Sequence, residues 1–157
     1  LRGRRLTGRH LGAGAPLAEA ALGPVSEVEW LDGAAVLLRR DVLVRAGGVR
    51  ADFFLYWEDV ELALRLRSTG GRFVLQPAAS AWQETSLTPP YLAARNRTAY
   101  LRGERRWVPL TLVVAEVVAQ ALRDSARGAR RRARLRLTGL RDGFSGRLDR
   151  GICLERS

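Results

Sequence analysis

The chain has no lysine and no methionine, and it has one cysteine and one histidine among 157 residues. A single cysteine excludes an internal disulfide framework, and with only one histidine it argues against a structural zinc site. The chain has no charged start followed by an apolar stretch, so no signal peptide is evident. We interpret it as a fragment, or a chain whose true N-terminus is missing, from a reducing compartment.

The charge is strongly positive and comes from one residue type. All 27 basic residues are arginine, against 16 acidic residues, which gives a net charge of +11. An apolar content of 46% suffices for a packed core, so the composition predicts a globular chain. A GC-rich genome also favours Arg, Ala, Gly and Leu, so the charge alone does not indicate a nucleic-acid-binding protein.

The most informative stretch runs from Phe53 to Arg67, where four aromatic residues lead into the adjacent carboxylates Glu58 and Asp59. Apolar residues then recur at helical spacing, which predicts a helix that begins at Val60. In one interpretation Asp59 caps this helix, because aspartate is a preferred N-cap and the helix dipole favours a negative charge there. In the other, the aromatic residues exclude water and the helix start keeps Asp59 ionised as a general base.

The flanking segments predict an α/β arrangement. Residues 28–38 are apolar and β-like, with Asp32-Gly33 interrupting them, and residues 72–76 read as a second strand. Short glycine pairs end two of the helices. The predicted helices are 41–46, capped by Asp41 and ended by Gly47-Gly48, then 60–68 with a Glu61–Arg65 pair on its outer face, 91–103 and 109–125.

Several motifs follow one another in a particular order. They are Gly33–Arg40, Ala46-Gly47-Gly48, Phe53–Leu62, Gly70-Gly71, Pro77-Ala78-Ala79 and Arg95-Asn96-Arg97. In this order the sequence resembles the C-terminal half of a family 2 glycosyltransferase of the rhamnosyltransferase-like or galactofuranosyltransferase-like kind. The resemblance extends from about Val28 to Arg106, and Phe-Phe-Leu-Tyr-Trp-Glu-Asp-Val is its most specific part.

The resemblance implies a partial GT-A-like α/β domain that forms the acceptor-side half of such an enzyme. This half would occupy residues 28–106, after a loop or linker at 1–27. Residues 107–157 would follow as an Arg-rich, membrane-proximal tail of amphipathic helices. The nucleotide-binding first half of the family, with its Asp-x-Asp motif, has no counterpart in the chain, so we expect the chain alone to be inactive.

The resemblance also assigns roles in an inverting transfer from a nucleotide-sugar donor to a saccharide or lipid-linked saccharide in surface polysaccharide synthesis. Asp59 would deprotonate the acceptor hydroxyl, Glu58 would orient the site, and Trp57 with Tyr56 would wall the sugar pocket. Two further pairs would contact substrate, namely Asp32 with Gly33 beside the donor sugar or acceptor, and Arg95 with Asn96 near the phosphates. From composition alone, Arg95 and its neighbours would instead form a solvated helix face.

The family uses a divalent metal, Mg²⁺ or Mn²⁺, to bridge the donor diphosphate, and this chain departs from the family at that point. Gln83 stands where a histidine ligand is common, and only its carbonyl oxygen could serve Mg²⁺. Val49-Arg50-Ala51 replaces an acidic Phe-Asp-Glu segment beside the cleft. Both departures predict altered metal binding or acceptor specificity, or an impaired copy of the enzyme.

The C-terminal segment predicts contact with a membrane surface. The apolar run 108–122 is shorter than the ~20 residues that span a bilayer, so we expect it to pack on the domain or a partner, or to lie in a membrane interface. The arginine cluster from Arg127 to Arg136 suits either a solvated basic helix or attraction to anionic lipids, and the chain is predicted to fray from Asp142 onward. We therefore expect a cytoplasmic protein, peripheral at the inner face of the plasma membrane.

Two other functions remain open from the sequence. One is a non-catalytic, membrane-peripheral remnant whose departures mark lost chemistry. The other is an Arg-rich nucleic-acid-binding protein, which is disfavoured because the aromatic residues lie beside acids and not within the basic tail.

Overall fold

The computed structural model describes residues 23–81 and 89–148. The chain divides into two compact units. The first comprises the residues up to Val49 together with Asp59–Thr85, and the second comprises Arg50–Glu58 together with the residues from Ser86 onward. The chain passes from one unit to the other between Glu58 and Asp59, and residue 107, where the sequence analysis placed a boundary, falls within the second unit.

The described residues are mainly helical, with one small sheet. The elements are β1 (Ser26–Val28), α1 (Arg40–Arg45), a 3-10 turn (Ala51–Phe53), α2 (Glu58–Ser68), β2 (Phe73–Leu75), α3 (Pro90–Gly103), α4 (Trp107–Ala126) and α5 (Arg130–Ser145). Strands β1 and β2 pair antiparallel, with Val28 opposite Phe73. The α/β prediction therefore holds only as a mixed fold with a two-stranded sheet in the described part of the chain.

The predicted strand at 28–38 is wrong beyond its first residue. After β1 the backbone turns at Asp32-Gly33, where an Asp32 carboxylate oxygen accepts a hydrogen bond from the Ala34 N–H at 3.0 Å. Such local bonding by aspartate competes with strand pairing. The apolar residues of this segment, including Trp30 and Leu38, pack on the first unit's core as irregular chain.

The core of the first unit is one small cluster. It consists of Leu62, Ala63 and Leu66 from α2 with Phe73 from β2. Arg65 ties α2 to the end of α1 by donating to the backbone carbonyls of Ala46 and Gly48, and its partner Glu61 accepts a hydrogen bond at 2.9 Å. The predicted Glu61–Arg65 pair therefore forms, but Glu61 is buried and does not lie on an outer face.

Helix α1 ends as predicted but begins differently. Gly47 and Gly48 have φ values of 81° and 77°, a left-handed geometry that glycine adopts without steric cost. At the other end Arg39 occupies the N-cap, and Asp41 lies inside the first turn, where its carboxylate pairs with Arg39 and Arg45. The prediction that Asp41 caps the helix is therefore wrong.

In the second unit α3 packs closely on α5 because two glycines face it. A Cβ at Gly139 would lie 2.4 Å from the Tyr91 carbonyl oxygen, and one at Gly143 would lie 2.5 Å from the Arg95 carbonyl oxygen. Between these glycines Asp142 is 2% exposed and accepts a hydrogen bond from the Tyr91 hydroxyl at 2.9 Å. The expectation of fraying from Asp142 is wrong as far as Ser145, where α5 ends, and residues 149–157 lie outside the described residues.

Helix α4 is held to its neighbours by polar side chains along one edge. Glu116 accepts a hydrogen bond from Arg97 of α3 at 3.1 Å. Arg136 of α5 donates to Asp124 at 2.8 Å and to Gln120 at 2.7 Å. Arg136 is therefore largely buried within the helix packing, and the interpretation of residues 127–136 as a wholly solvated basic face is wrong at this position.

Candidate active site

In the first unit, Asp59 lies in the first turn of α2 and contacts the turn at Gly33. One carboxylate oxygen accepts a hydrogen bond from the Gly33 N–H at 3.2 Å, and the other accepts one from the Val60 N–H at 2.7 Å. Because α2 begins at Glu58, Asp59 is inside the helix, and its prediction as the N-cap is wrong. The structure brings together three predicted site residues, because Asp59 contacts Gly33, which is 26 positions earlier in the chain, and the charge of the neighbouring Asp32 acts on Asp59.

The surroundings of Asp59 favour its protonated form. Partial burial raises the pKa of the Asp59 carboxyl above that of an ordinary aspartate, and the nearby Asp32 charge acts in the same direction. The N–H groups of Gly33 and Val60 lower the pKa but do not cancel the effect of burial. A half-buried carboxylate with a fixed orientation and a raised pKa is a suitable general base, because proton transfer is most efficient when the base pKa approaches the working pH.

In the second unit, residues 53–57, which we name the aromatic loop, have an unusual backbone. Phe54, Tyr56 and Trp57 have φ values of 60°, 67° and 76°, in the left-handed region that bulky residues rarely adopt. Each such residue costs about 1–3 kcal/mol and persists only where its surroundings impose it. The aromatic loop therefore requires strong external support.

That support comes from consecutive residues of α3. The side-chain amide of Asn96 donates to three carbonyl oxygens of the aromatic loop, those of Phe53 at 2.8 Å, Leu55 at 2.9 Å and Tyr56 at 2.6 Å. Arg95 donates to the Phe53 carbonyl at 3.1 Å and to the Asn96 side-chain oxygen at 2.8 Å. The two side chains therefore satisfy the carbonyl groups that the irregular backbone leaves without helix or strand partners.

Arg95 and Asn96 are both 0% exposed, so the solvated-face interpretation is wrong for them. Their polar contacts are with protein atoms, including the Leu148 carbonyl, to which Arg95 donates at 2.8 Å. In this arrangement neither side chain lies where a phosphate of the donor or acceptor could bind. The pair positions the aromatic loop.

The remaining predicted residues of the second unit lie around this core. Tyr56 packs against a cluster formed by Tyr91, Leu92 and Leu135. Trp57 lies with its ring centroid 6.1 Å from that of Tyr100, and the Arg97 guanidinium is 5.6 Å from the Trp57 ring centroid. Both aromatic side chains are half-buried, as is Glu58. Within the described part of the chain, the buried indole N–H of Trp57 has no hydrogen-bond acceptor.

The described residues do not form a metal centre. Within residues 23–81 and 89–148, no three His, Cys, Asp or Glu side chains lie close enough together to hold a metal ion. The Asp59 carboxylate, which accepts two backbone N–H bonds, has the Asp32 carboxylate nearby. Gln83, the predicted ligand, lies outside the described residues. A divalent metal would need ligands from elsewhere in the protein.

Comparison with curated proteins relates this chain to a glycosyltransferase. It is similar to the N-acetylglucosaminyl-diphospho-decaprenol L-rhamnosyltransferase of Mycobacterium tuberculosis, in strains CDC 1551 / Oshkosh and ATCC 25618 / H37Rv, with 31% identity over 126 residues. The match covers 74% of this chain and 41% of the relative, so the chain spans less than half the relative's length. A match of this extent necessarily includes the middle of the chain, where the aromatic loop and α3 lie. No model of a protein family and no solved structure matches the sequence.

Sequence reasoning missed the residues that hold α3 against α5. Gly139 and Gly143 are four residues apart and therefore lie on one helix face. That spacing is the one signal that could have predicted a close helix contact. Asp142 could have been noticed as the one acid in an arginine-rich segment, but its partner Tyr91 is 51 residues away in sequence.

Proposed function

We propose that this chain is the acceptor-side half of an inverting family 2 glycosyltransferase with a GT-A-like fold. The longer protein would transfer a sugar, L-rhamnose or a close relative, from a nucleotide-sugar donor to a lipid-linked saccharide. The relationship to an L-rhamnosyltransferase that acts on a decaprenol-linked sugar supports this choice of substrates. A chain that spans 41% of that relative supports the view that the donor-binding half lies elsewhere in a longer protein.

The observation that carries the proposal is the environment of Asp59. Its carboxylate is half-buried and held by two backbone N–H groups, and burial raises the pKa of this carboxyl above that of an ordinary aspartate. In the proposed reaction the Asp59 carboxylate takes the proton of an acceptor hydroxyl. The hydroxyl oxygen forms a bond to the anomeric carbon of the donor while the bond from that carbon to the nucleoside diphosphate breaks. One displacement of this kind inverts the anomeric configuration.

The other predicted residues would act around that step. Glu58 immediately precedes the base in the chain and would orient the acceptor hydroxyl. Trp57 and Tyr56 would provide the apolar wall of the sugar pocket. Asp32 and Gly33 would border the donor sugar or acceptor, with Gly33 also holding the base. Arg95 and Asn96 would act indirectly, by fixing the aromatic loop.

The test uses this chain joined to the coding sequence that naturally precedes it. With a nucleotide-activated L-rhamnose donor and decaprenyl-diphospho-N-acetylglucosamine as acceptor, the extended protein should transfer sugar with inversion, which NMR of the product would report. Asp59→Asn should lower kcat by about 10²–10⁴-fold with little change in donor affinity, as expected for loss of a general base.

Asp41→Asn is the matched control, because Asp41 is an exposed carboxylate in the same unit, and activity should be unchanged. Sugar transfer by the isolated 157-residue chain would contradict the proposed division of the enzyme. Full activity of Asp59→Asn would remove Asp59 from the mechanism. Absence of an in-frame α/β segment upstream would favour a non-catalytic remnant.

A further inference from the structure

Helix α4 presents an apolar stripe that the described part of the second unit does not cover. Its exposed residues recur every three or four positions, so they share one face. They include Trp107, which is 59% exposed, and Leu122, which is 66% exposed. Together with Phe144 of α5 they line an open groove of about 680 Å³. The principal lining residues are Trp107, Leu110, Val114, Val118, Leu122 and Phe144.

A basic stripe on α5 adjoins this groove. Arg130, Arg134 and Arg141 line a second shallow groove with Leu137, and Arg141 precedes Phe144 by three positions on the same helix face. All three arginines are exposed. The apolar groove and the basic stripe therefore form one amphipathic surface.

Acidic residues are absent from both grooves as described. Three of the carboxylates on α4 and α5 are occupied within the helix packing: Glu116 pairs with Arg97, Asp124 with Arg136, and Asp142 with Tyr91. These internal contacts leave positive charge in excess on the α5 stripe. An apolar surface with a basic flank is complementary to an anionic lipid bilayer, whose headgroups attract guanidinium groups while its interface accepts Trp and Leu side chains.

We propose that the α4 stripe and the exposed α5 arginines form a docking surface for an anionic lipid bilayer, with α4 lying parallel to the membrane. None of the helices within residues 23–81 and 89–148 is long and apolar enough to cross a membrane. The surface differs from the arginine cluster predicted from the sequence, because Arg136 faces the protein interior and Arg141 joins the surface. The proposal goes beyond the proposed transferase function, because vesicle binding can be measured whether or not the protein transfers sugar.

The experiment is co-sedimentation of the 157-residue chain with vesicles of phosphatidylcholine, pure or with about one-quarter phosphatidylglycerol. The chain should bind the anionic vesicles at least about tenfold more tightly than the neutral ones, and added salt should weaken this binding. Arg134→Gln with Arg141→Gln should weaken binding about 30-fold. Trp107→Ser with Leu122→Ser should weaken it about tenfold or more.

Matched controls change the same residue types in the first unit. Leu37→Ser with Val44→Ser removes two exposed apolar side chains, and Arg40→Gln with Arg72→Gln removes two exposed charges. Both doubles should bind like the unchanged chain. Because every substituted residue is exposed, circular dichroism should show unchanged helix content in all four variants.

Quenching by brominated phosphatidylcholine gives a second readout. It should reduce the fluorescence of the unchanged chain more than that of Trp107→Phe, because Trp107 enters the interface. Three results would overturn the proposal. One is vesicle binding insensitive to the Trp107 and Leu122 changes, and another is a lipid-free dimer that Leu122→Ser dissociates. The third is salt-sensitive binding to DNA or RNA without binding to anionic vesicles.

Discussion

The aromatic loop and Asp59 are adjacent in the chain, but they belong to units that are built differently. The aromatic loop is fixed by side chains that are 0% exposed, in a unit whose helices pack through glycines. Asp59 belongs to a unit whose described core centres on Leu62, Ala63, Leu66 and Phe73 with irregular chain packed against them, and its carboxylate accepts backbone N–H bonds from Gly33 and Val60. Substitutions near the aromatic loop should therefore be detected as lost stability, and substitutions near Asp59 as lost activity.

The largest effect is expected for Gly143→Ala in the second unit. A Cβ there would lie 2.5 Å from the Arg95 carbonyl oxygen, so α5 must move away from α3. We expect the free energy of unfolding to fall by about 3 kcal/mol, the upper part of the range for overpacked cores. Urea denaturation measures this.

Gly103→Ala is the control for that substitution, because no atom of another residue lies near a Cβ at this helical position. Its stability should be unchanged, or raised by up to about 1 kcal/mol from helix propensity. If Gly143→Ala and Gly103→Ala lowered the free energy of unfolding equally, the close packing of α3 on α5 would not be what stabilises the second unit.

The next effect is expected for Asn96→Ala, which leaves the Leu55 and Tyr56 carbonyls of the aromatic loop without this donor, whereas the Phe53 carbonyl keeps its bond from Arg95. We expect a loss of about 2 kcal/mol, the cost of buried polar groups left unsatisfied. Amide hydrogen exchange at residues 54–57 should accelerate more than exchange in α4. Arg102→Gln changes an exposed residue of the same helix and should alter stability by less than about 0.5 kcal/mol.

A smaller loss is expected for Tyr91→Phe, about 1 kcal/mol, because Asp142 loses a buried hydrogen bond. Burial and the hydrogen bond to Asp142 raise the pKa of Tyr91 to about 12. Because this pKa is above the usual value for tyrosine, the stabilising contact is complete below about pH 10 and is lost as the pH rises through 12.

Ultraviolet titration of the unchanged chain should show a late tyrosine ionisation step near pH 12 that Tyr91→Phe removes. Tyr56→Phe removes a hydroxyl outside the Asp142 contact and should leave the late step in place. Ionisation of all three tyrosines near pH 10 would contradict the described hydrogen bond.

The smallest effects are expected from two aspartates whose pKa values are shifted in opposite directions. Burial raises the pKa of Asp59, whereas the hydrogen bond from Arg50 lowers the pKa of Asp52 in the second unit. Relative to Asp59→Asn, the unchanged chain should lose stability as the pH rises from the usual aspartate pKa through that of Asp59. Relative to Asp52→Asn, it should lose stability as the pH falls through the lowered pKa of Asp52.

Urea midpoints between about pH 3 and 7 would measure both differences. If the stability difference changed with pH in the same direction for Asp59→Asn and Asp52→Asn, burial would not be the dominant influence on the pKa of Asp59. It would also weaken the case for Asp59 as a base, because a raised pKa is one of the features that favour that role.

Helical periodicity predicted α2, α3 and α4 to within about three residues, because an apolar face repeats along each of them. The irregular segment at 28–38 was not predicted. Its apolar residues, such as Trp30 and Leu38, cover the core, and a buried strand would require the same residue types, so composition cannot distinguish the two. The run from Tyr56 to Asp59 was predicted as the site from its sequence, and its role in catalysis stays a prediction. The burial of Arg95 was not predicted. Its partners include the backbone carbonyl groups of Phe53 and Leu148, which are far away in sequence, and residue types do not indicate such backbone contacts.

The contacts of the aromatic loop also determine the order in which the chain can fold. Its carbonyls bond Asn96, 40 to 43 residues later in sequence, and Arg95 in turn bonds the Leu148 carbonyl another 53 residues on. During synthesis every aromatic and carboxylate side chain of the site therefore leaves the ribosome well before the groups that fix the loop. We expect amides 54–57 to gain protection late in pulsed hydrogen exchange during refolding, and protection that precedes formation of α3 would contradict this order.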